Sequence, residues 1–251
     1  MGKYNSSEHR IKPLMKQIEN SQQNFEKFIG IIGLKNLGDP TEYRYADGDN
    51  NTEKALKPTK QHLMGLVKYL SGKGTGNYSV NGDNRIGLFD GDVSKKELAL
   101  SEIEDNYDSL PSRAWYIFEG YTYPDLYIEG DDYIIICEGK WTEPHITTET
   151  TYLQAANGAY RNQMVRHIQG ALNSAENKKV YAFYIVDKNC GYTKDLEKDS
   201  FAEQVEKETI ALSYSEKYDV ISSYYGYTTW QDIEQIINVK FKTKDEIDAS
   251  T

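Results

Sequence analysis

Residues 123–141 read YPDLYIEGDDYIIICEGKW, and this stretch decides the fold. Two apolar segments, residues 123–128 and 133–137, flank Glu-Gly-Asp-Asp, which is a clear hairpin signal. In the second segment the period of two puts one set of side chains on one face, namely Ile134, Ile136, Glu138 and Lys140. The hairpin therefore ends in two charged residues that point the same way.

The same hairpin brings Asp125, which follows Pro124, back alongside Glu138. Two neighbouring carboxylates repel each other, and each has a raised pKa unless a cation lies between them. Mg²⁺, or Mn²⁺ in its place, resolves this conflict because it prefers oxygen ligands and keeps several waters. Lys140 beside such an ion could orient or deprotonate a water, or stabilise charge on a phosphate. The residue types point to phosphodiester hydrolysis.

Outward from the hairpin, residues 114–118 read as a further strand and complete a three-strand meander. A helix runs from Ser94 towards Tyr107, a long helix covers about 151–172, and a strand covers 180–186. The order of helix, three strands, helix and strand predicts an α/β fold with a mixed central sheet.

The flanking parts divide the chain into two predicted domains. Residues 1–93 read as a mostly helical N-terminal extension, with one helix over 7–28, a loop over 38–51 and a second helix from Thr59 to Gly72. This extension is expected to pack on the core or to form an arm of it. Residues 94–251 read as the α/β domain. Its last part is a polar helix near 196–212, a Tyr-rich strand near 218–225 and a helix over 229–239.

The helix after the hairpin carries the next polar group. The helical period puts Gln163 and His167 at the edge of the apolar face and Arg166 on the adjoining stripe. Gln163 could bond a metal ligand or the attacking water, and Arg161 and Arg166 could contact phosphate oxygens. His167 is either a substrate contact or a hydrogen-bonded histidine between helix and sheet.

The N-terminal extension holds a second basic region. Lys60 and Lys68 belong to a lysine-rich stretch with no acidic residue between Glu53 and Asp83. It is either an arm that follows a nucleic-acid backbone or a solvated helix face.

Residues 94–186 resemble the PD-(D/E)XK nuclease superfamily, which has the restriction-endonuclease-like fold. The motif is matched by Pro124-Asp125 and Glu138-Gly139-Lys140. More narrowly, FEGYTYPDLYIEGDDYIIICEGKWTE followed by YRNQMVRHIQGA is similar to an uncharacterised bacterial subgroup. The resemblance implies a metal held by Asp125, Glu138 and the Gly139 carbonyl, with Lys140 assisting catalysis. We expect nucleic acid as the partner and favour DNA over RNA, although no residue pattern separates the two.

Many members of that superfamily carry a further acidic residue upstream of the motif. Glu119 lies six residues before Asp125 and is a candidate for this additional metal ligand. Glu102 and Glu104 on the preceding helix are the other candidates, and an ordinary turn residue is the alternative for Glu119.

Composition narrows the classes of protein further. With 29 Lys and Arg against 39 Asp and Glu, the net charge is −10, and no apolar run is long enough for a membrane span. The N-terminal residues lack the apolar stretch of a signal peptide, and two distant cysteines do not form a disulfide framework, so we expect a cytoplasmic protein. A homodimer is compatible with the sequence.

Two alternatives come from other classes. One is a carbohydrate-active hydrolase that uses Asp125 and Glu138 as an acid–base pair, which leaves Lys140 without a role. The other is a non-catalytic module with a nuclease-like fold that binds nucleic acid or protein.

Overall fold

The structure is a computed structural model that describes residues 4–47, 52–75, 80–111, 113–144, 146, 160–208, 210 and 212–250. Its centre is a five-stranded mixed sheet in the spatial order β1-β2-β3-β4-β5. The strands are β1 (Glu42–Tyr45), β2 (Leu126–Glu129), β3 (Tyr133–Gly139), β4 (Lys179–Val186) and β5 (Tyr224–Thr229). The pairs β1–β2 and β2–β3 are antiparallel, whereas β3–β4 and β4–β5 are parallel. The predicted α/β class with a mixed sheet is confirmed.

Ten α-helices surround the sheet in the described residues. They are α1 (Lys12–Glu19), α2 (Gln22–Ile31), α3 (Lys60–Leu70), α4 (Asp83–Phe89), α5 (Val93–Asn106), α6 (Gln163–Ser174), α7 (Lys198–Glu206), α8 (Tyr214–Ser223), α9 (Trp230–Ile237) and α10 (Lys244–Ala249). No helix in this part of the chain has both the length and the apolar composition needed to cross a bilayer.

The two faces of β3 enter different cores, as the alternation predicts. Ile134 and Ile136 pack with Met164, Ile168 and other residues of α6, α7 and α8. The opposite face packs against α1, α2 and α9 through three residues of β3, Tyr133, Ile135 and Cys137. Because Glu138 and Lys140 continue the first face, they lie on the side of the sheet that α6 covers.

The predicted meander is wrong in its first strand. Residues 114–118 form turns, and Tyr116, Ile117 and Phe118 are buried in a third core with α3, α4 and α5. Their apolar side chains pack against these helices. The sequence pattern alone does not distinguish an apolar segment of this kind from a strand. The strand that pairs with β2 is instead β1, within the region expected to be a loop.

Three other element predictions are corrected. The helix predicted over 7–28 is interrupted before α2, where Ser21 caps the new helix by accepting from the Asn24 N–H. The helix after the hairpin begins only at Gln163, and residues 147–159 lie outside the described part of the chain. Most of the Tyr-rich segment 218–225 is helical, because Ser213 and Glu216 form a capping box that starts α8.

The N-terminal residues take part in the sheet and in its cores. They contribute β1 to the sheet edge, and Leu14, Phe25 and Phe28 of α1 and α2 are fully buried against β3 and β4. The segment therefore packs on the α/β core, while a domain boundary at residue 93 stays a prediction.

A glycine on α6 allows this helix to approach the chain near Leu56. A Cβ at Gly170 would lie 2.8 Å from Leu56 Cβ and 3.5 Å from its backbone carbon. We expect Gly170→Ala to destabilise the fold by about 1–3 kcal/mol through overpacking, although alanine favours helices.

Urea unfolding measures this effect, and Gly30→Ala is its control. Gly30 lies in α2 with nothing within 4 Å of the added Cβ, so this variant should gain up to about 1 kcal/mol. Equal changes of the same sign in both variants would contradict the close approach.

Candidate active site

The β2–β3 hairpin brings together the two predicted carboxylates. Leu126 pairs with Cys137, so Asp125 and Glu138 lie at the adjacent ends of the two strands. The Gly139 backbone N–H donates to Asp125 Oδ2 at 2.8 Å. Asp125 is thereby held directly beside the strand end that carries Glu138 and Lys140.

Three side chains converge on the carboxylate of Glu138. Lys140 Nζ donates to Oε1 at 2.9 Å, and Gln163 Nε2 donates to the same oxygen at 2.8 Å. His167 Nε2 lies 3.1 Å from Oε2. Lys140 Nζ also donates to Gln163 Oε1 at 3.2 Å, so the lysine, the glutamine and the glutamate form a closed ring of contacts. Lys140 and Glu138 thus form a buried ion pair.

Gln163 reaches this ring because it is the first residue of α6. The preceding residue, Asn162, caps the helix by accepting from the Met164 and Val165 N–H groups. The cap fixes where the helix begins, and so fixes the distance between Gln163 and the strand ends.

His167, one turn further along α6, connects Glu138 to a residue before β2. Its Nδ1 lies 2.7 Å from Thr122 Oγ1, and the ring is buried. A neutral imidazole satisfies both contacts when Nε2–H donates to Glu138 and Nδ1 accepts from the Thr122 hydroxyl. His167 thus orients the carboxylate, which matches the hydrogen-bonded histidine that was one of the two sequence readings.

The pKa values of the two carboxylates are shifted in opposite directions. Burial opposes ionisation of Glu138, but the charge of Lys140 and the contact with His167 outweigh it and lower the Glu138 pKa to about 2. Burial also acts against the charged form of Lys140, and the attraction of Glu138 reverses this and raises its pKa. Burial and the negative charge of Glu138 together raise the Asp125 pKa well above its ordinary value. Lys140 and the Gly139 N–H act in the opposite direction on Asp125, but they do not offset burial and Glu138.

The end of β3 is anchored from the opposite side by the C-terminal part of the chain. Trp230 Nε1 donates to the Lys140 carbonyl at 2.9 Å, and the Lys140 N–H donates to the Ile185 carbonyl at 2.8 Å. A Cβ at Gly139 would lie 3.0 Å from Trp230 Cζ2. Glycine at this position lets the indole seat against the strand.

Glu119 lies in a different buried cluster. Its carboxylate accepts from Arg161 at 3.1 and 3.2 Å and lies 3.3 Å from Arg166 Nε and 3.3 Å from His62 Nε2. Arg161 also donates to Glu208 at 3.2 Å. The geometry gives Glu119 and Arg161 a structural task, so their predicted roles as metal ligand and phosphate contact stay predictions without geometric support.

The remaining predicted contacts lie apart from the Glu138 ring. Arg166 is one-fifth exposed and faces Glu119. Lys60 pairs with Glu104 at 2.9 Å, and Lys68 is exposed on α3. Within the part of the chain that the structure describes, none of the three is hydrogen-bonded to the Glu138 ring, and their role in binding nucleic acid stays a prediction.

The two carboxylates suit a hard divalent cation that keeps several waters, and they are too few to enclose an ion with protein ligands alone. No group of three or more His, Cys, Asp or Glu side chains in the described residues is arranged to hold a metal. Asp125 and Glu138 would supply two carboxylates, which is the number that Mg²⁺ commonly takes from a protein while it keeps waters. The residues present fit Mg²⁺ on the chemistry of their donors.

Two residues of the site are not recognisable from the sequence. Thr122 holds His167, and Trp230 holds the backbone of Lys140 from 90 residues away. The position of Thr122, three residues before Asp125, is a weak signal for the first. The sequence contains no local signal for the second, since only the parallel pairing of β4 and β5 brings Trp230 to this end of the sheet.

Searches with protein-family models, curated proteins and solved structures find no match to this chain.

Proposed function

We propose that the protein is a magnesium-dependent nuclease of the PD-(D/E)XK type that hydrolyses phosphodiester bonds, with DNA as the favoured substrate. The observation that carries this proposal is the convergence of Lys140, Gln163 and His167 on the Glu138 carboxylate, with Asp125 at the adjacent strand end. These are the residue types and the strand positions that the motif requires.

The order of elements supports a restriction-endonuclease-like core. Helix α5 precedes the β2–β3 hairpin, and α6 then leads into β4, which pairs parallel to β3. The edge strand beside β2 comes from the N-terminal segment instead of from residues 114–118. The core proposed here therefore has its outer strand supplied by β1.

The proposed ligands of the ion are Asp125, Glu138 and the carbonyl of Gly139. When bound, Mg²⁺ would supply a polarised water and neutralise charge on the scissile phosphate. The support for a metal site is geometric, because Asp125 and Glu138 lie at the adjacent ends of two paired strands. Burial and Glu138 raise the pKa of Asp125, and a cation at this position would favour its ionised form.

The protein's own side chains have separate tasks in this proposal. Lys140 donates from its ammonium group to the oxygens on which negative charge develops, which stabilises the transition state. Gln163 fixes the position of Lys140 relative to Glu138, because its side chain accepts a hydrogen bond from Lys140 and donates one to Glu138. His167 and Thr122 hold the Glu138 carboxylate in one orientation.

The test is cleavage of labelled single- and double-stranded DNA and RNA in Mg²⁺, Mn²⁺ and EDTA. We expect cleavage that requires the divalent ion, and a loss of activity in Asp125→Asn and Glu138→Gln that high Mg²⁺ partly restores. Cleavage that persists in EDTA would contradict the mechanism.

The same assay separates the alternatives. Polysaccharide hydrolysis that survives chelation would identify the carbohydrate-active hydrolase. Binding of nucleic acid without cleavage in any metal would identify the non-catalytic module.

A further inference from the structure

A groove of about 480 Å³ lies between residues 8–17, which include the first turns of α1, and residues 238–242, which follow α9. The charged and titratable residues that line it are Glu8, His9, Lys12, Lys16, Lys240 and Lys242. Four lysines against one glutamate make this groove basic in a protein whose net charge is −10. The groove is thus a local exception to the overall charge.

Little of this positive charge is neutralised. Lys12 pairs with Glu8 at 3.3 Å, and Lys240 lies 3.8 Å from Glu246 while its side chain is 86% exposed. Lys16 and Lys242 form no ion pair with a side chain in the described residues. Exposed pairs such as these contribute little, so the groove remains attractive to an anion.

On each wall of the groove, the two lysines lie on the same side of their segment. Lys12 and Lys16 are one helical turn apart, on the same side of α1. Residues 238–242 alternate between exposed and buried, with Val239 and Phe241 in the core, so Lys240 and Lys242 point outward together. The spacing within each pair is about 6–7 Å, from the rise of a helix and of an extended chain.

Trp141, the residue after Lys140 in the chain, lies near one end of the groove. The Trp141 ring centroid lies 3.7 Å from the Arg10 guanidinium and 6.1 Å from the His9 ring. Arg10 also donates to the Lys242 carbonyl at 2.9 Å, which ties the two walls together. The end of the groove that His9 lines is therefore close to the strand end that carries Lys140.

We infer that this groove binds the phosphate backbone of the nucleic acid on one side of the scissile bond, an inference that rests on the proposed nuclease function. A polyanion with regularly repeated charges fits two facing rows of lysines. The groove is concave, and of its two apolar lining residues Val239 is buried and Pro13 is small and half-buried, so it offers no large apolar side chain to insert into a membrane. Binding here is to phosphates, independent of base sequence.

The experiment is fluorescence anisotropy with labelled single- and double-stranded DNA in EDTA, across a series of salt concentrations. The triple variant Lys16→Gln, Lys240→Gln, Lys242→Gln is compared with the wild type and with a control of equal charge change. That control replaces exposed lysines away from the groove by glutamine, namely Lys27, Lys194 and Lys207.

We expect the groove variant to bind at least about tenfold more weakly near 0.1 M salt. The slope of log affinity against log salt should become shallower by about one for each lysine removed, and the control should change little. Equal binding by the groove variant and the control would overturn the inference, as would absence of nucleic-acid binding by the wild type. Groove-dependent sedimentation with anionic lipid vesicles in place of DNA binding would also overturn it.

Cleavage assays on the same proteins separate this inference from the proposed function. Metal-dependent cleavage that the groove substitutions leave unchanged would sustain the nuclease and reject the groove. Groove-dependent binding without any cleavage would sustain the groove as a nucleic-acid surface and reject the nuclease.

Discussion

Lys140→Met is expected to lower the rate of phosphodiester cleavage by about 10²–10³, which corresponds to about 2.7–4 kcal/mol of lost transition-state stabilisation. Methionine retains the length of the side chain but removes the ammonium group. The Glu138 carboxylate keeps its contacts with Gln163 and His167, so the scaffold of the site stays in place. The loss should appear in the single-turnover rate at saturating Mg²⁺, with substrate affinity nearly unchanged.

The matched control is Lys207→Met, which removes an exposed lysine elsewhere. Thermal unfolding of both variants shows whether the fold is intact, and Lys140→Arg, which restores a cation, should recover part of the rate. An unchanged cleavage rate in Lys140→Met would reject the assigned role of Lys140, whatever the stability of the variant.

Glu119→Gln is expected to lower the free energy of unfolding by about 3–5 kcal/mol, the cost of removing one partner from a buried ion pair. The Glu119 side chain is 2% exposed and faces Arg161, Arg166 and His62. Without this charge, Arg161 keeps its bond to Glu208 but loses its ion pair with Glu119, and Arg166 loses the carboxylate that it faces. Urea unfolding at pH 7 measures the loss, with Glu97→Gln on the exposed face of α5 as the control.

The pH dependence of this effect has a definite sign. Burial favours the neutral form of Glu119, but the charge of Arg161 outweighs it and holds the Glu119 pKa well below its ordinary value. The carboxylate therefore stabilises the fold fully above the unfolded-state pKa of about 4.3, and this contribution is lost as the pH falls through the lower folded-state pKa. The difference between wild type and variant should shrink in acid.

The Glu119 variant also tests its predicted role as a metal ligand. A Glu119→Gln protein that unfolds like the wild type but requires more Mg²⁺ for cleavage would contradict the structural role and favour the metal-ligand role. Loss of stability with an unchanged Mg²⁺ requirement of the folded fraction is the expected result.

The convergence of these side chains could be predicted from the sequence because the signals for it are local. Asp125, Glu138 and Lys140 are related by one hairpin and by the period of two, and both appear directly in residues 123–141. Gln163 and His167 follow from a single helical period. Each of these relations spans a few residues on one element or one turn.

The parts that sequence reasoning misses depend on contacts between distant segments. β1 is four residues long and lies in a Gly- and Asp-rich region, so only its pairing with β2 makes it a strand. Residues 114–118 are as apolar as a strand, but α3, α4 and α5 provide the core that buries them. Glu119 and Arg161 are 42 residues apart, and no pattern shows that they neutralise each other.

The two partners of the bond from Trp230 to the Lys140 carbonyl are synthesised at different times. The strand that carries Glu138 and Lys140 is made early, whereas the indole that anchors its end is made 90 residues later. Contacts across such long sequence separations form late in folding, because the loop between them must close first. A nascent chain on the ribosome therefore carries Glu138 and Lys140 without the anchor that fixes their strand end, and the candidate site is completed only once β5 and α9 have emerged.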